Sequence, residues 1–176
     1  GYECVDRGYA KYSESGSYIS QLGVSRARVQ SGWARTEQKK GKYDYAWLDE
    51  VVDGIVSQNV KPWMCLGYGN PIYSSEVTLG AKIFTDEPTL KAWEKYVETT
   101  VARYKGKVGL WEVWNEPNQK VNKDNPSTYT NLLVRTCEAI KRVDPEAKIA
   151  AFALASVDAA YLSHVLNDLR QMGKTD

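Results

Sequence analysis

The chain has 176 residues, 43% of them hydrophobic and 26% charged, with a formal net charge of +1. That is the size and composition of one globular domain, without the excess of either charge that would imply a nucleic-acid partner. No run of about 18 apolar residues is present, so no membrane span is expected, and the opening Gly1-Tyr2-Glu3 carries no signal-peptide pattern, which fits a mature end or a trimmed piece.

Tyr2–Val5 reads as the tail of a strand. Tyr12–Leu22 reads as a helix stopped by Gly23, and Val24–Val29 as a strand running into a Gln30-Ser31-Gly32-Trp33 loop. After a turn at Lys39-Lys40-Gly41-Lys42, Asp44 is placed to cap a helix from Tyr45 to about Gln58. There Trp47, Leu48, Val51, Val52, Ile55 and Val56 recur at helical spacing. Lys61–Leu66 is the next strand, breaking at Gly67-Tyr68-Gly69-Asn70-Pro71. The irregular stretch that follows, up to Asp86-Glu87-Pro88, suits a surface loop over a site.

A helix returns over Pro88–Tyr104 with an apolar stripe of Trp93, Tyr96, Val97 and Val101. Val108–Trp114 is a strand, Pro126 or Ser127 opens a helix through Val143, and Asp144-Pro145 ends it. Lys148–Leu154 is a further strand, and a last helix runs from about Asp158 to Met172. Apolar strands alternating with helices at roughly 40-residue spacing predict an α/β fold, a parallel sheet covered by helices. A closed (β/α)8 barrel takes about 250 residues, so residues 1–176 would make about two-thirds of one. An open piece of this kind has edges through which it can self-associate.

The three cysteines, Cys4, Cys65 and Cys137, are too far apart for a CxxC metal site and read as buried or half-buried thiols. The single histidine, His164, lies in a helical pattern, which argues against a His-based triad or a metal centre. No phosphate-cradling Gly loop is present, and no cofactor is expected. The aromatic set is 6 Trp and 12 Tyr against 2 Phe. Flat rings with a polar handle suit both core packing and a sugar cleft.

In parallel α/β sheets the reactive groups sit at the carboxyl ends of strands. Here those ends offer Arg28 and then Trp33, Tyr68 and Asn70, Asn115 and Glu116, and finally Ser156 and Asp158. Glu116 follows the apolar run Trp111-Glu112-Val113-Trp114 and precedes Pro117, which stops the strand. A carboxyl partly desolvated beside Trp114 would be held protonated near neutral pH, as a general acid needs. The competing reading is a helix cap or surface acid. Glu112 alternates in phase with Glu116 and reads as a buried residue paired with Arg28 or Arg26. Trp63, Trp93 and Tyr96 read as core.

The stretch Trp111–Asn118, WEVWNEPN, resembles the acid/base motif of clan A retaining glycoside hydrolases, which are (β/α)8 barrels. Arg28, Trp33, Gly41-Lys42-Tyr43-Asp44 and Leu48-Asp49 resemble the second strand and helix of family 39-like members, and Leu66–Pro71 their third-strand end. The resemblance implies an acid/base role for Glu116 and a sugar 2-hydroxyl contact for Asn115. It places Arg28 near the nucleophile, and Trp33, Tyr68, Asn70 and Glu3 among the substrate contacts. It also implies hydrolysis of O-glycosidic bonds in oligo- or polysaccharides without a cofactor or metal, and a secreted or periplasmic home. By the same resemblance, residues 1–176 are the N-terminal portion of one (β/α)8 domain, about strands one to five; in that clan the nucleophile Glu ends the seventh strand, and no acid here matches that motif. The other reading is a non-catalytic carbohydrate-binding or scaffold fragment of the same barrel.

Overall fold

A computed structural model describes residues 1–73, 82–119 and 122–174. Four strands, β1 (Arg26–Gln30), β2 (Lys61–Leu66), β3 (Leu110–Val113) and β4 (Ile149–Ala150), form one parallel sheet in sequence order. Tyr2 makes a parallel bridge to Val29, so the start of the chain lies along the other side of β1. The helices are α1 (Tyr12–Ser15), α2 (Trp33–Thr36), α3 (Ala46–Ser57), α4 (Glu87–Tyr104), α5 (Pro126–Val143) and α6 (Ala159–Gln171). Sequential parallel order with a helix between neighbours is an arc of a (β/α)8 barrel, open along β4 among the described residues.

The two faces of the sheet follow from the alternation of side chains along each strand. Val29, Met64, Leu66, Trp111 and Val113 are buried against the helices. Arg28, Trp63, Cys65 and Glu112 have the opposite parity and share the inner face, with Arg28 opposite Trp63 and Cys65 opposite Glu112 in register. Leu48, Val51, Val52 and Ile55 bury the expected stripe of α3, while Val56 is exposed. Asp86 caps α4 by accepting from the Thr89 N–H (2.9 Å), with Pro88 in the first turn, and Asp158 caps α6 through the Tyr161 N–H (3.0 Å).

Several elements are shorter than the sequence predicts. The Tyr12–Leu22 helix divides, because the Gly16 carbonyl is taken by the Gln58 side chain (2.6 Å) and the chain continues as a 3-10 turn over Gly16–Leu22. Gly23 ends it at φ 65°, where a residue without Cβ is favoured. Residues 31–33 are not all loop, since Trp33 opens α2. Asp44 accepts from the Ala46 N–H (3.0 Å), but the capping position of α3 belongs to Tyr45. The strand predicted over Lys148–Leu154 pairs only at Ile149 and Ala150, because the Phe152 N–H bonds the Tyr129 hydroxyl instead of β3 (3.1 Å). The loop predicted over residues 72–85 falls largely outside the described residues. Of the three thiols, Cys65 is buried and Cys137 half-buried, but Cys4 is exposed, since it sits in the turn that follows the Tyr2 bridge.

The core is aromatic. Trp33, Phe84, Trp93, Tyr96 and Trp114 are buried, and Trp33 lies 5.5 Å from Trp93 and 5.6 Å from Tyr96 between ring centroids. Each such edge or offset contact adds about 0.5–1.5 kcal/mol beyond area burial.

Candidate active site

The site is built where β3 stops. Trp114 and Glu116 both take left-handed backbone conformations, at φ 65° and 52°. Such values cost non-glycine residues energy and persist only where surrounding contacts hold them. Those contacts are present: the Trp114 N–H donates to the Leu66 carbonyl (2.9 Å) and the Glu116 N–H to the Ala153 carbonyl (2.8 Å). The Asn118 side-chain oxygen accepts from the Ala155 N–H (3.0 Å). Trp114 turns into the aromatic core, 5.5 Å from the Tyr68 ring, and Asn115 and Glu116 turn toward the sheet's open end.

Asn115 is oriented by two partners. Its Oδ1 accepts from Arg28 Nη2 (2.9 Å) and its Nδ2 donates to the Tyr68 hydroxyl (2.7 Å). A guanidinium only donates, so Arg28 fixes which end of the amide is oxygen. Arg28 is itself held by Glu112, through Nε at 3.1 Å and through Nη2. Burial is the largest single influence and would lower the guanidinium, but the hydrogen bond to Glu112 and the electrostatic pull of its neighbours, Glu112 and Glu3 among them, together outweigh it and hold Arg28 above its ordinary value. Glu112 is 2% exposed, so this is a buried, compensated ion pair. Cys65 lies against the same pair, and burial pushes its thiol well up, so it is kept as a neutral donor toward Glu112. Tyr68 is also raised by burial and stays a phenol.

Arg28, Trp63, Glu112, Asn115 and Glu116 line one cleft of about 410 Å³ with residues 150–154. Glu3 lies in a neighbouring cleft that Arg28 and Trp63 also line, 3.4 Å from Arg28 Nη1. Among the predicted site residues, Glu116, Asn115 and Arg28 line the cleft, while Tyr68 is buried and holds Asn115 and Glu3 contacts Arg28 from beside it. The structure does not bring Trp33 or Asn70 to the cleft. Trp33 is fully buried, with its Nε1 on Glu37 (2.6 Å) and its ring stacked on Tyr96. Asn70 is buried and spends both ends of its amide on the loop, Nδ2 on the Glu37 carbonyl (2.7 Å) and Oδ1 on the Ile72 N–H (3.1 Å). Glu116 is exposed rather than partly desolvated, because Trp114 points away from it into the core. Trp63, read as core, is half-buried and lines the cleft, and its strand parity, shared with Arg28, was the available signal.

A family model, described as glycosyl hydrolases family 39, matches residues 18–171. The chain belongs to that family. Among curated relatives, the family 39 chain is 25% identical over 153 residues to a phospho-cellobiase of Klebsiella oxytoca, covering 84% of this chain and 32% of the relative. It is 26% identical over 143 residues to a beta-xylosidase of Geobacillus stearothermophilus, covering 74% of this chain and 28% of the relative. A solved family 39 glycoside hydrolase from the gut symbiont Bacteroides cellulosilyticus WH2 superposes with TM-score 0.75 at 24% identity, over 94% of this chain and 34% of that one. That superposition shows the fold. The family 39 chain spans about a third of the length of the curated relatives it matches.

Proposed function

We propose that Glu116 is the general acid/base of a retaining, clan A glycoside hydrolase acting on β-linked oligo- or polysaccharides. The observation that carries this is the pairing at the end of β3 of an exposed carboxylate with an amide whose direction is fixed. Among the described residues the Glu116 carboxylate has no partner, so it is free to meet a glycosidic oxygen. Asn115 is held by Arg28 and Tyr68 with one N–H left for a sugar hydroxyl. Trp63 supplies a flat face on the inner wall.

Retaining hydrolysis needs a second carboxylate about 5–5.5 Å from the first. Glu112 in the cleft and Glu3 beside it are both engaged by Arg28 and are not offered as that nucleophile. The nucleophile comes from a part of the barrel these residues do not form, and the cleft is completed there. The names of the relatives, a phospho-cellobiase and a beta-xylosidase, make β-glucosides and β-xylosides the first substrates to try.

The test is Glu116→Gln in the full-length protein. Turnover of an aryl β-glycoside should fall by about 10²–10⁴-fold, the usual worth of a placed acid/base, and added azide should restore part of it. The thermal midpoint should hardly move, because an exposed, unpaired carboxylate stabilises little. Unchanged turnover would remove Glu116 from the chemistry.

A further inference from the structure

The cleft exists because β3 and β4 part company beyond Glu112 and Ala150, their last paired residues. By the register, the next ladder bond would run from the Phe152 N–H to the Val113 carbonyl. That bond is replaced. The buried Tyr129 hydroxyl sits between the two groups, donating to the Val113 carbonyl (3.1 Å) and accepting from the Phe152 N–H (3.1 Å). Both backbone groups stay satisfied, yet the strands are held apart by the width of an oxygen atom. Phe152 adopts φ 63° immediately beyond, and pairing resumes once, where the Glu116 N–H meets the Ala153 carbonyl (2.8 Å).

A second tyrosine holds the far end of the same turn. Tyr161, buried on α6, donates its hydroxyl to the Pro117 carbonyl (2.9 Å). Tyr129 comes from α5, and the two rings lie 6.3 Å apart. The segment from Val113 to Pro117 is thus gripped at both ends by phenols from consecutive helices, while neither tyrosine lines the cleft. Burial raises both phenols above their ordinary value, so they remain donors across the working pH range.

We propose that Tyr129 and Tyr161 are positioning residues for Glu116, the first by wedging β3 from β4 and the second by fixing the carbonyl of Pro117, so that the acid is held at the glycosidic oxygen. This rests on the acid/base reading of Glu116. A residue that acts through the acid leaves a signature that a purely structural residue does not. Protonation matters most for leaving groups that are poor, such as a second sugar, and least for nitrophenols that depart unaided. The ratio of kcat/KM between the two substrate types is also independent of how much of a variant is folded.

The experiment is to measure that ratio for Tyr129→Phe, Tyr161→Phe and Glu116→Gln in the full-length protein, with a β-disaccharide and a dinitrophenyl β-glycoside of the same sugar. For the tyrosine variants, kcat/KM on the disaccharide should fall about tenfold to a hundredfold, as expected when a catalytic group is displaced by about 1 Å, while the dinitrophenyl substrate loses less than about threefold. Equal losses on both substrates in the tyrosine variants, with a selective loss in Glu116→Gln, would overturn the proposal and leave the acid/base reading standing. No selective loss in Glu116→Gln would overturn that reading itself. Failure of both phenylalanine variants to fold would also overturn the proposal, since the hydroxyls would then serve the fold and not the acid.

Discussion

Two acids in the segments that follow β1 and β3, Glu37 and Glu116, are built in opposite ways. Glu37, just after α2, is fully buried and saturated. Its Oε2 accepts from Trp33 Nε1 (2.6 Å), and its Oε1 accepts from the Gly41 N–H (2.6 Å) and the Tyr73 hydroxyl (2.5 Å). Glu116, after β3, is exposed, and its backbone is the part that is held. A carboxylate with three donors is a joint: it ties α2, the turn at Gly41 and the loop at Tyr73 together. Burial and the neighbouring Glu37 charge push the nearby Tyr43 phenol up to about 12, which suits a closed and apolar region. A carboxylate anchored only through its main chain is open to a ligand. Both acids lie in segments that follow a strand, and the partners of the carboxylate separate them.

The largest effect that would break this contrast is on stability. Glu37→Leu leaves the Trp33 indole N–H and the Gly41 N–H without an acceptor, and hydrogen bonds to a charged group are worth about 1.5–3 kcal/mol each. Urea denaturation of the full-length protein should show a loss of about 3 kcal/mol or more. A loss below about 1 kcal/mol would mean that Glu37 is not a joint, and the contrast with Glu116 would fall.

Glu112→Gln tests the middle case, a buried acid that serves the site from behind. Glutamine keeps the shape but removes the buried counter-charge of Arg28 and leaves it only Glu3 at 3.4 Å, while Asn115 still draws on the same guanidinium. Stability should drop by about 1–3 kcal/mol. On the proposed acid/base reading, kcat/KM of the full-length protein should fall by about tenfold as the Asn115 amide loses its fixed direction. Activity unchanged in a folded variant would show that Tyr68 alone orients Asn115.

The strand and helix pattern was readable because each strand is a short apolar run and each long helix carries a continuous stripe, as in α4 with Trp93, Tyr96, Val97 and Val101. The cleft side of β3 was readable for the same reason, since parity put Glu112 in phase with Glu116 and made Arg28 or Arg26 its partner, and the structure selects Arg28. Trp33 and Asn70 were misplaced because nothing local shows that α2 folds the chain after β1 back over the helices. Only the tertiary contact of Trp33 with Tyr96 and of Asn70 with Glu37 makes them interior. The early exit of β4 from the sheet was invisible for a similar reason. Lys148–Leu154 is an apolar run, and the hydroxyl that breaks its ladder belongs to Tyr129, far away in the chain.

The smallest effect concerns Asp6, which fits neither pattern: its side chain is 2% exposed, like a joint, yet its Oδ1 lies 3.4 Å from Arg7 Nε without a hydrogen bond. Burial raises its carboxyl above the ordinary 3.8, and the opposing pull of Arg7 does not cancel this. An acid that is raised in the fold binds its proton more readily folded than unfolded. Its contribution to stability is therefore complete below pH 3.8 and is lost as pH rises through the folded value. Asp6→Asn removes the ionisation, so the variant should be the more stable one at pH 7, with an advantage that shrinks as the pH is lowered toward 4. Urea midpoints of both proteins across that range measure it. A variant less stable than the parent at pH 7 would show that the Arg7 contact outweighs desolvation, and that Asp6 is a joint of the same kind as Glu37.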